Sequence, residues 1–221
     1  MTDEFRGSPR TVDDVMTHTV VSIGQDAPFK EIVELMEQWH VSALPVVAGE
    51  GRVIGVVSEA DLLLKEEFRG DSPDRPAPPR RLADLAKSHA VTAEALMSTP
   101  AVTVHPDATL AQAARIMAVR RIKRLPVIDR LGILQGVVSR SDLLKVFLRS
   151  DAEIAAEVTR TVSAYLFPRQ TVTTTVDEGV VTFHGPLPDR RLVPVAARLA
   201  QAVEGVVDVR MDLTAPAPPP R

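Results

Sequence analysis

Leu44-Pro45-Val46 and Gly55-Val56-Val57-Ser58-Glu59-Ala60-Asp61-Leu62-Leu63 return 81 residues later as Leu125-Pro126-Val127 and Gly136-Val137-Val138-Ser139-Arg140-Ser141-Asp142-Leu143-Leu144. Aligned without a gap, residues 11–65 and 92–146 share 17 identities in 55, so the first two thirds of the chain is a duplication. Met16, Met36 and Gly51 recur as Met97, Met117 and Gly132. A unit of about 55 residues buries too little surface to be secure alone. The two copies are therefore expected to pack against one another.

Working outward, each copy reads as strand, helix, two strands, helix. Thr19–Ile23 and Val102–Val104 are β-branched and apolar, as a first strand should be. Asp26 and Asp107 stand where a helix N-cap is wanted, before helices at Phe29–Glu37 and Leu110–Val119. Phe29, Ile32, Val33 and Met36 then fall on one helical face. Leu44–Val47 and Arg52–Val57 flank Gly49-Glu50-Gly51 and read as a hairpin. Ser58 is the expected N-cap of a helix through Asp61 to Lys65. Between the copies, Gly70–Arg81 is rich in Pro, Asp and Arg and reads as an exposed connector, followed by a short helix at Leu82–Ser88.

Composition narrows the function. The 221 residues carry a net charge of −3 and 45% hydrophobic residues, ordinary for a globular protein with a real core. An acidic chain with 4% aromatic residues lacks the basic surface and stacking platforms of a nucleic-acid binder. The absence of cysteine excludes disulfides, thiolate metal sites and cysteine nucleophiles. No apolar run approaches a membrane span, and Met1–Arg10 lacks the apolar core of a secretory signal, so a cytoplasmic location is expected and a membrane role is not. His18, His40, His89, His105 and His184 show no metal-ligand spacing, so no metal site is expected. No Gly-x-Ser-x-Gly elbow or phosphate-binding loop occurs, and independent catalysis is not expected.

The residues that recur have a physical meaning of their own. A carboxylate in the first turn of a helix, three residues after a hydroxyl, can accept hydrogen bonds from a ribose diol. The helix N-terminus offers donors to an anion. Ser58 with Asp61 and Ser139 with Asp142 repeat that arrangement. A single such Asp is more often only a cap, but recurrence in the same Gly-x-x-Ser-x-x-Asp setting turns the balance toward ligand contact. The four recurrent methionines read as core fillers.

The sequence Met-Thr, apolar strand, amphipathic helix, Leu-Pro-Val-Val, Gly-Val-Val-Ser-x-x-Asp-Leu-Leu resembles a CBS motif, and it occurs twice over residues 10–149. The resemblance implies an α+β fold in which two β-α-β-β-α repeats form a pseudo-two-fold module. Such a module has two clefts, which in many members bind AMP, ADP, ATP or S-adenosylmethionine. It further implies regulation of a fused or separate protein, and pairing of modules into a homodimer. Each cleft would join the Asp of one copy to the first strand of the other. Site one would then comprise Ser58, Asp61, Pro100, Ala101, Val102, Ile122, Lys123 and Arg124. Site two would comprise Thr17, His18, Val20, Val21, Val41, Ser42, Ala43, Ser139, Arg140 and Asp142. Trp39-His40-Val41-Ser42-Ala43 becomes Arg120-Arg121-Ile122-Lys123-Arg124 in the second copy. Site one thus gathers cations for phosphates, while site two relies on Arg140, aided by His18 or His40. The more phosphorylated ligand is expected in site one.

From Asp151 the pattern changes. A helix over 151–165 with Ile154, Val158 and Val162 in line precedes strands at Thr171–Val176 and Val180–His184 about an Asp177-Glu178-Gly179 turn. A helix follows at Arg190–Val203 with Pro194 in its first turn, then a strand at Val206–Leu213. This α-β-β-α-β order, with Val176–Leu187 and Val203–Val209, resembles a BON domain. That family is linked to membranes and phospholipid surfaces. Here residues 151–214 hold six Arg and no Lys against nine Asp and Glu, which does not favour anionic lipid. A protein-contact or self-association role is expected instead, with the membrane surface as the alternative.

The resulting division is residues 10–67 and 92–149 for the two motifs, 68–91 for the linker, 151–214 for the BON-like domain and 215–221 for a disordered tail. The expected function is regulatory sensing of an adenosine-containing ligand without a catalytic cofactor. A scaffold with unoccupied clefts is the alternative.

Overall fold

In the computed structural model the 81-residue offset reappears as a reciprocal exchange of backbone hydrogen bonds. The structure describes residues 10–68, 79–167, 172–186 and 189–214, with backbone alone for 79–83. The chain divides into two units, Met1–Leu143 and Leu144–Arg221.

In the first unit, Val12 N–H donates to the Ala108 carbonyl at 2.9 Å, and Ala93 N–H donates to the Ala27 carbonyl at 2.9 Å. Adding or subtracting 81 converts one pair into the other. Thr17 bridges to Val137 and, by the same rule, Ser98 bridges to Val56. At the centre Val53 N–H donates to Gly132 and Leu134 N–H to Gly51, both at 3.0 Å. Each copy thus lends its leading segment to the other. Ala93 and Leu96 of the second copy are buried in one cluster with Ile23, Ile32, Met36, Leu44 and Val57 of the first. That exchange is the physical answer to two copies too small to stand alone.

The elements are β1 (Ile23–Gly24), α1 (Phe29–Trp39), β2 (Ala43–Ala48), β3 (Arg52–Ser58) and α2 (Glu59–Glu67), then a connecting helix α3 (Pro79–Ser88). The second copy supplies α4 (Ala93–Leu96), α5 (Leu110–Arg120), β4 (Arg124–Ile128), β5 (Leu134–Ser139) and α6 (Arg140–Leu144). β1 runs parallel to β2, and β2 is antiparallel to β3. β4 and β5 repeat the hairpin, including the register shift, at Val46/Val47 and Val127/Ile128.

The recurrent glycines have a packing cause. A Cβ on Gly55 would lie 2.3 Å from Met97 Sδ, and one on Gly136 would lie 2.6 Å from Met16 Sδ. Each copy's leading methionine rests on the other copy's strand, where only glycine leaves room.

Several expectations need correction. The first strands are shorter than 19–23 and 102–104: only Ile23–Gly24 is a strand, and Val104 makes an isolated bridge to Val127. The rest is extended chain that lines cavities rather than pairing. Asp26 and Asp107 are both exposed and two residues too early to cap. Thr109 caps α5, accepting from Gln112 N–H at 3.2 Å while Gln112 accepts from Thr109 N–H at 2.9 Å, a reciprocal cap. Pro28 precedes α1. Val33 is exposed and Leu35 half-buried, so the apolar face of α1 lies slightly off the expected line. Of the connector expected at Gly70–Arg81, residues 70–78 lie outside the described residues, as does the tail at 215–221. Residues 79–81 are not connector but the first turn of α3, which starts three residues earlier than expected.

The second unit contains α7 (Asp151–Val158), a π turn at Thr159–Ser163, α8 (Ala164–Leu166), β6 (Thr173–Asp177), β7 (Val180–Pro186), α9 (Val193–Gln201) and β8 (Asp208–Thr214). Its sheet order is β6-β7-β8, antiparallel then parallel. Ile154, Val158 and Val162 pack with Phe183, Ala196 and Ala200. Glu178 and Gly179 both have positive φ, 47° and 74°, the backbone of a tight hairpin turn. Asp151 accepts from both their N–H groups, at 2.9 and 2.8 Å, and ties α7 to that turn. No helix among the described residues is long and apolar enough to cross a membrane.

Candidate ligand clefts

Two cavities lie beside the paired hairpins, lined by residues related by the repeat. Both fall near the lower end of the roughly 300–1,000 Å³ range of small-molecule sites.

Cleft one encloses about 300 Å³. All eight residues assigned to site one line it: Ser58 and Asp61 from one copy, and Pro100, Ala101, Val102, Ile122, Lys123 and Arg124 from the other. Arg121 adds a further cation to this wall. Cleft two encloses about 390 Å³ and is lined by Thr17, Val20, Val21, Val41, Ala43, Ser139 and Asp142 among the assigned residues.

Three assigned residues lie elsewhere. His18 lines a neighbouring cavity with Ser22, Glu50 and Gln135, because successive residues of an extended segment point to opposite sides. Ser42 lines cleft one and accepts a hydrogen bond from Arg124 Nη1 at 2.5 Å. Arg140 is not among the residues lining either cleft, and its Nε donates to the Ile122 carbonyl at 3.0 Å. The guanidinium that does line cleft two is Arg124, which lines cleft one as well.

Among the lining residues, Trp39 and Ser98 were not anticipated. Trp39, 53% exposed, lines cleft two. It closes α1 and is followed by His40 in the left-handed region (φ 50°), which turns the chain back toward the cleft. Arg121 (φ 55°) does the same after α5. Ser98 lines cleft one, and adding 81 to Thr17 would have found it.

Each carboxylate is held in the way its spacing requires. Asp61 Oδ2 accepts from Ser58 N–H at 2.9 Å and Ser58 Oγ at 2.6 Å. Asp142 Oδ2 accepts from Ser139 N–H at 2.9 Å and Ser139 Oγ at 2.5 Å. The capping role and the cleft-lining role therefore coexist on one side chain. The helix N-termini offer an anion less than the sequence suggested. Glu59 N–H already donates to the Ser42 carbonyl at 3.1 Å, and Arg140 N–H to the Lys123 carbonyl at 3.0 Å.

Asp61 has a further partner. Lys87, from α3, places Nζ 2.6 Å from Asp61 Oδ1 and 3.2 Å from Ser98 Oγ. Ser98 Oγ stands 3.4 Å from the same Oδ1.

In the second unit, Thr175, His184 and Asp212 form a hydrogen-bonded line across β6, β7 and β8, with both contacts at 3.0 Å. The His184 and Asp212 side chains are 40% and 75% exposed, so the line is a cross-strand surface interaction. Among the described residues no group of three or more His, Asp or Glu is placed to hold a metal ion.

The CBS domain model matches residues 12–66 and 93–149, and the BON domain model matches residues 150–216. An uncharacterized protein of Methanocaldococcus jannaschii is 31% identical over 159 residues, which cover 66% of this chain and 34% of that protein. The chain therefore spans about a third of that relative. The CBS domain-containing protein YhcV of Bacillus subtilis is 29% identical over 133 residues, 60% of this chain and 82% of YhcV. Among solved structures, CBSX2 of Arabidopsis thaliana in complex with AMP superposes with a TM-score of 0.56 at 26% identity, covering 63% of this chain and 97% of CBSX2.

Proposed function

Because the chain belongs to the CBS domain family and carries a BON domain after its CBS pair, we propose that it is a regulatory module that senses an adenosine-containing ligand in its two clefts. The observation that carries this reading is the repeated carboxylate. Asp61 and Asp142 each line a cavity large enough for a nucleoside, each oriented through its Oδ2 by a serine three residues before. The Asp carboxylates would accept the ribose hydroxyls, and the extended segments at Pro100–Val102 and Val20–Val21 would flank the base. CBSX2 has been solved with AMP, which supports AMP as the first ligand to try; ADP, ATP and S-adenosylmethionine complete the proposed set.

The clefts are not equivalent. Arg121, Lys123 and Arg124 line cleft one, whereas the cation of cleft two is the shared Arg124. ATP would therefore favour cleft one, and AMP or a nucleoside cleft two. Binding across two interlocked copies would favour one arrangement of the pair, which the BON domain, a homodimer contact or a regulated protein would read. Leu63 on α2, 63% exposed, supports a pairing surface. Neither CBS nor BON domain supplies catalytic chemistry in this reading.

Calorimetry on the full chain tests the assignment. Asp61→Ala is expected to remove most ATP affinity and Asp142→Ala most AMP affinity. Equal loss of ATP binding in both variants would contradict the asymmetry. No heat with any adenosine compound would leave a duplicated scaffold.

A further inference from the structure

The connecting helix α3 places a cation on the carboxylate to which the ribose is assigned. We infer that Lys87 is an internal competitor for cleft one, a side-chain gate that must leave Asp61 Oδ1 before a ribose can dock there. The inference rests on the ribose role given to Asp61 above.

A carboxylate offers about four acceptor directions. Asp61 already spends them on four protein donors: Ser58 N–H and Ser58 Oγ on Oδ2, and Lys87 Nζ and Ser98 Oγ on Oδ1. The Oδ2 pair holds the start of α2 and stays. A ribose diol therefore has to displace donors at Oδ1, and Lys87 at 2.6 Å is the closest. The Asp61 and Lys87 side chains are 12% and 22% exposed, so their attraction is less screened than that of a surface pair.

The geometry also says which part moves. Lys65, on α2, donates from Nζ to the Ser88 carbonyl at 3.0 Å and the Ala90 carbonyl at 3.2 Å, pinning the end of α3. Its position is fixed in turn by the Phe29 ring, 5.1 Å from the ammonium, a cation–π contact. The backbone beside Lys87 is thus anchored, and the gate is its long, flexible side chain. A closed gate lowers the apparent affinity of cleft one by the fraction of molecules in which Oδ1 is open. Cleft one would then respond only at ligand concentrations above those its lining would otherwise require.

Uncharged adenosine is the probe, since it removes any attraction between Lys87 and a phosphate. Adenosine binding to the full chain is measured by calorimetry in an Asp142→Ala background, so that cleft one is read alone. Lys87→Met keeps the length of the side chain and loses the charge. It is expected to tighten adenosine binding about threefold or more, whereas Lys87→Arg stays as weak as Lys87. With Lys87 present, adenosine should also bind more tightly as salt is raised from about 0.05 to about 0.5 M, because the ion pair is screened; in the Lys87→Met variant the salt effect should vanish. Equal adenosine affinity with lysine and methionine, or weaker binding with methionine, would overturn the gate alone. No adenosine binding in any of these variants would overturn the gate, and the nucleotide reading would fall with it only if ATP also failed to bind the Asp142→Ala chain.

Discussion

Asp61 and Asp142 each answer two demands with one carboxylate. The Oδ2 edge holds the serine that starts the helix, and the side chain still lines the cleft. Arg124 has a comparable double position, since it lines both cavities while resting on Ser42. A guanidinium that donates to a ligand phosphate contributes about 1.5–3 kcal/mol. Arg124→Ala is therefore expected to weaken AMP binding at cleft two and ATP binding at cleft one by roughly tenfold or more, read by calorimetry in Asp61→Ala and Asp142→Ala backgrounds respectively. A loss confined to one cleft would show that the residue serves only that side. Arg140, by contrast, is committed to the Ile122 carbonyl, and Arg140→Ala should leave AMP affinity at cleft two within about twofold. The sequence could mark both arginines as cations near the clefts. It could not say which one faces inward, because that depends on a backbone carbonyl contributed by a distant segment.

At the scale of elements, the decisive contacts run between the copies. The hairpins and the long helices were legible because alternating and 3.6-residue periods are local signals. The first strands were not, because composition there suits a strand while partners far along the chain decide what forms. The caps at Asp26 and Asp107 failed for a local reason, since Thr109 pairs with Gln112 and Pro28 stands directly before α1. Gly55 shows the same dependence. A methyl group there would meet Met97 Sδ at 2.3 Å and Met97 Cβ at 3.0 Å, and the second of these cannot swing aside. Gly55→Ala is expected to cost about 1–3 kcal/mol in denaturant unfolding. Adding Met97→Ala should recover part of that loss, because the two changes remove one clash and are not additive. Simple additivity would mean that the methionine and the glycine do not touch as described.

For the molecule as a whole, the duplication was the most informative feature of the sequence. It predicted a two-fold module, and the structure returns that symmetry as matched hydrogen bonds offset by 81 residues. What broke the symmetry was harder to see. Lys87 lies in the connector, outside the aligned copies, so no repeat comparison could point to it. Trp39 aligns with Arg120, and only the folded chain brings it to cleft two. That placement supplies the most direct test, because the chain has one tryptophan and its emission reports cleft two alone. Titration of the full chain with AMP, followed by tryptophan fluorescence, is predicted to give a saturable change that survives Asp61→Ala and disappears in Asp142→Ala. An emission that AMP leaves unchanged, or a response that persists without the Asp142 carboxylate, would contradict the assignment of an adenosine ligand to cleft two.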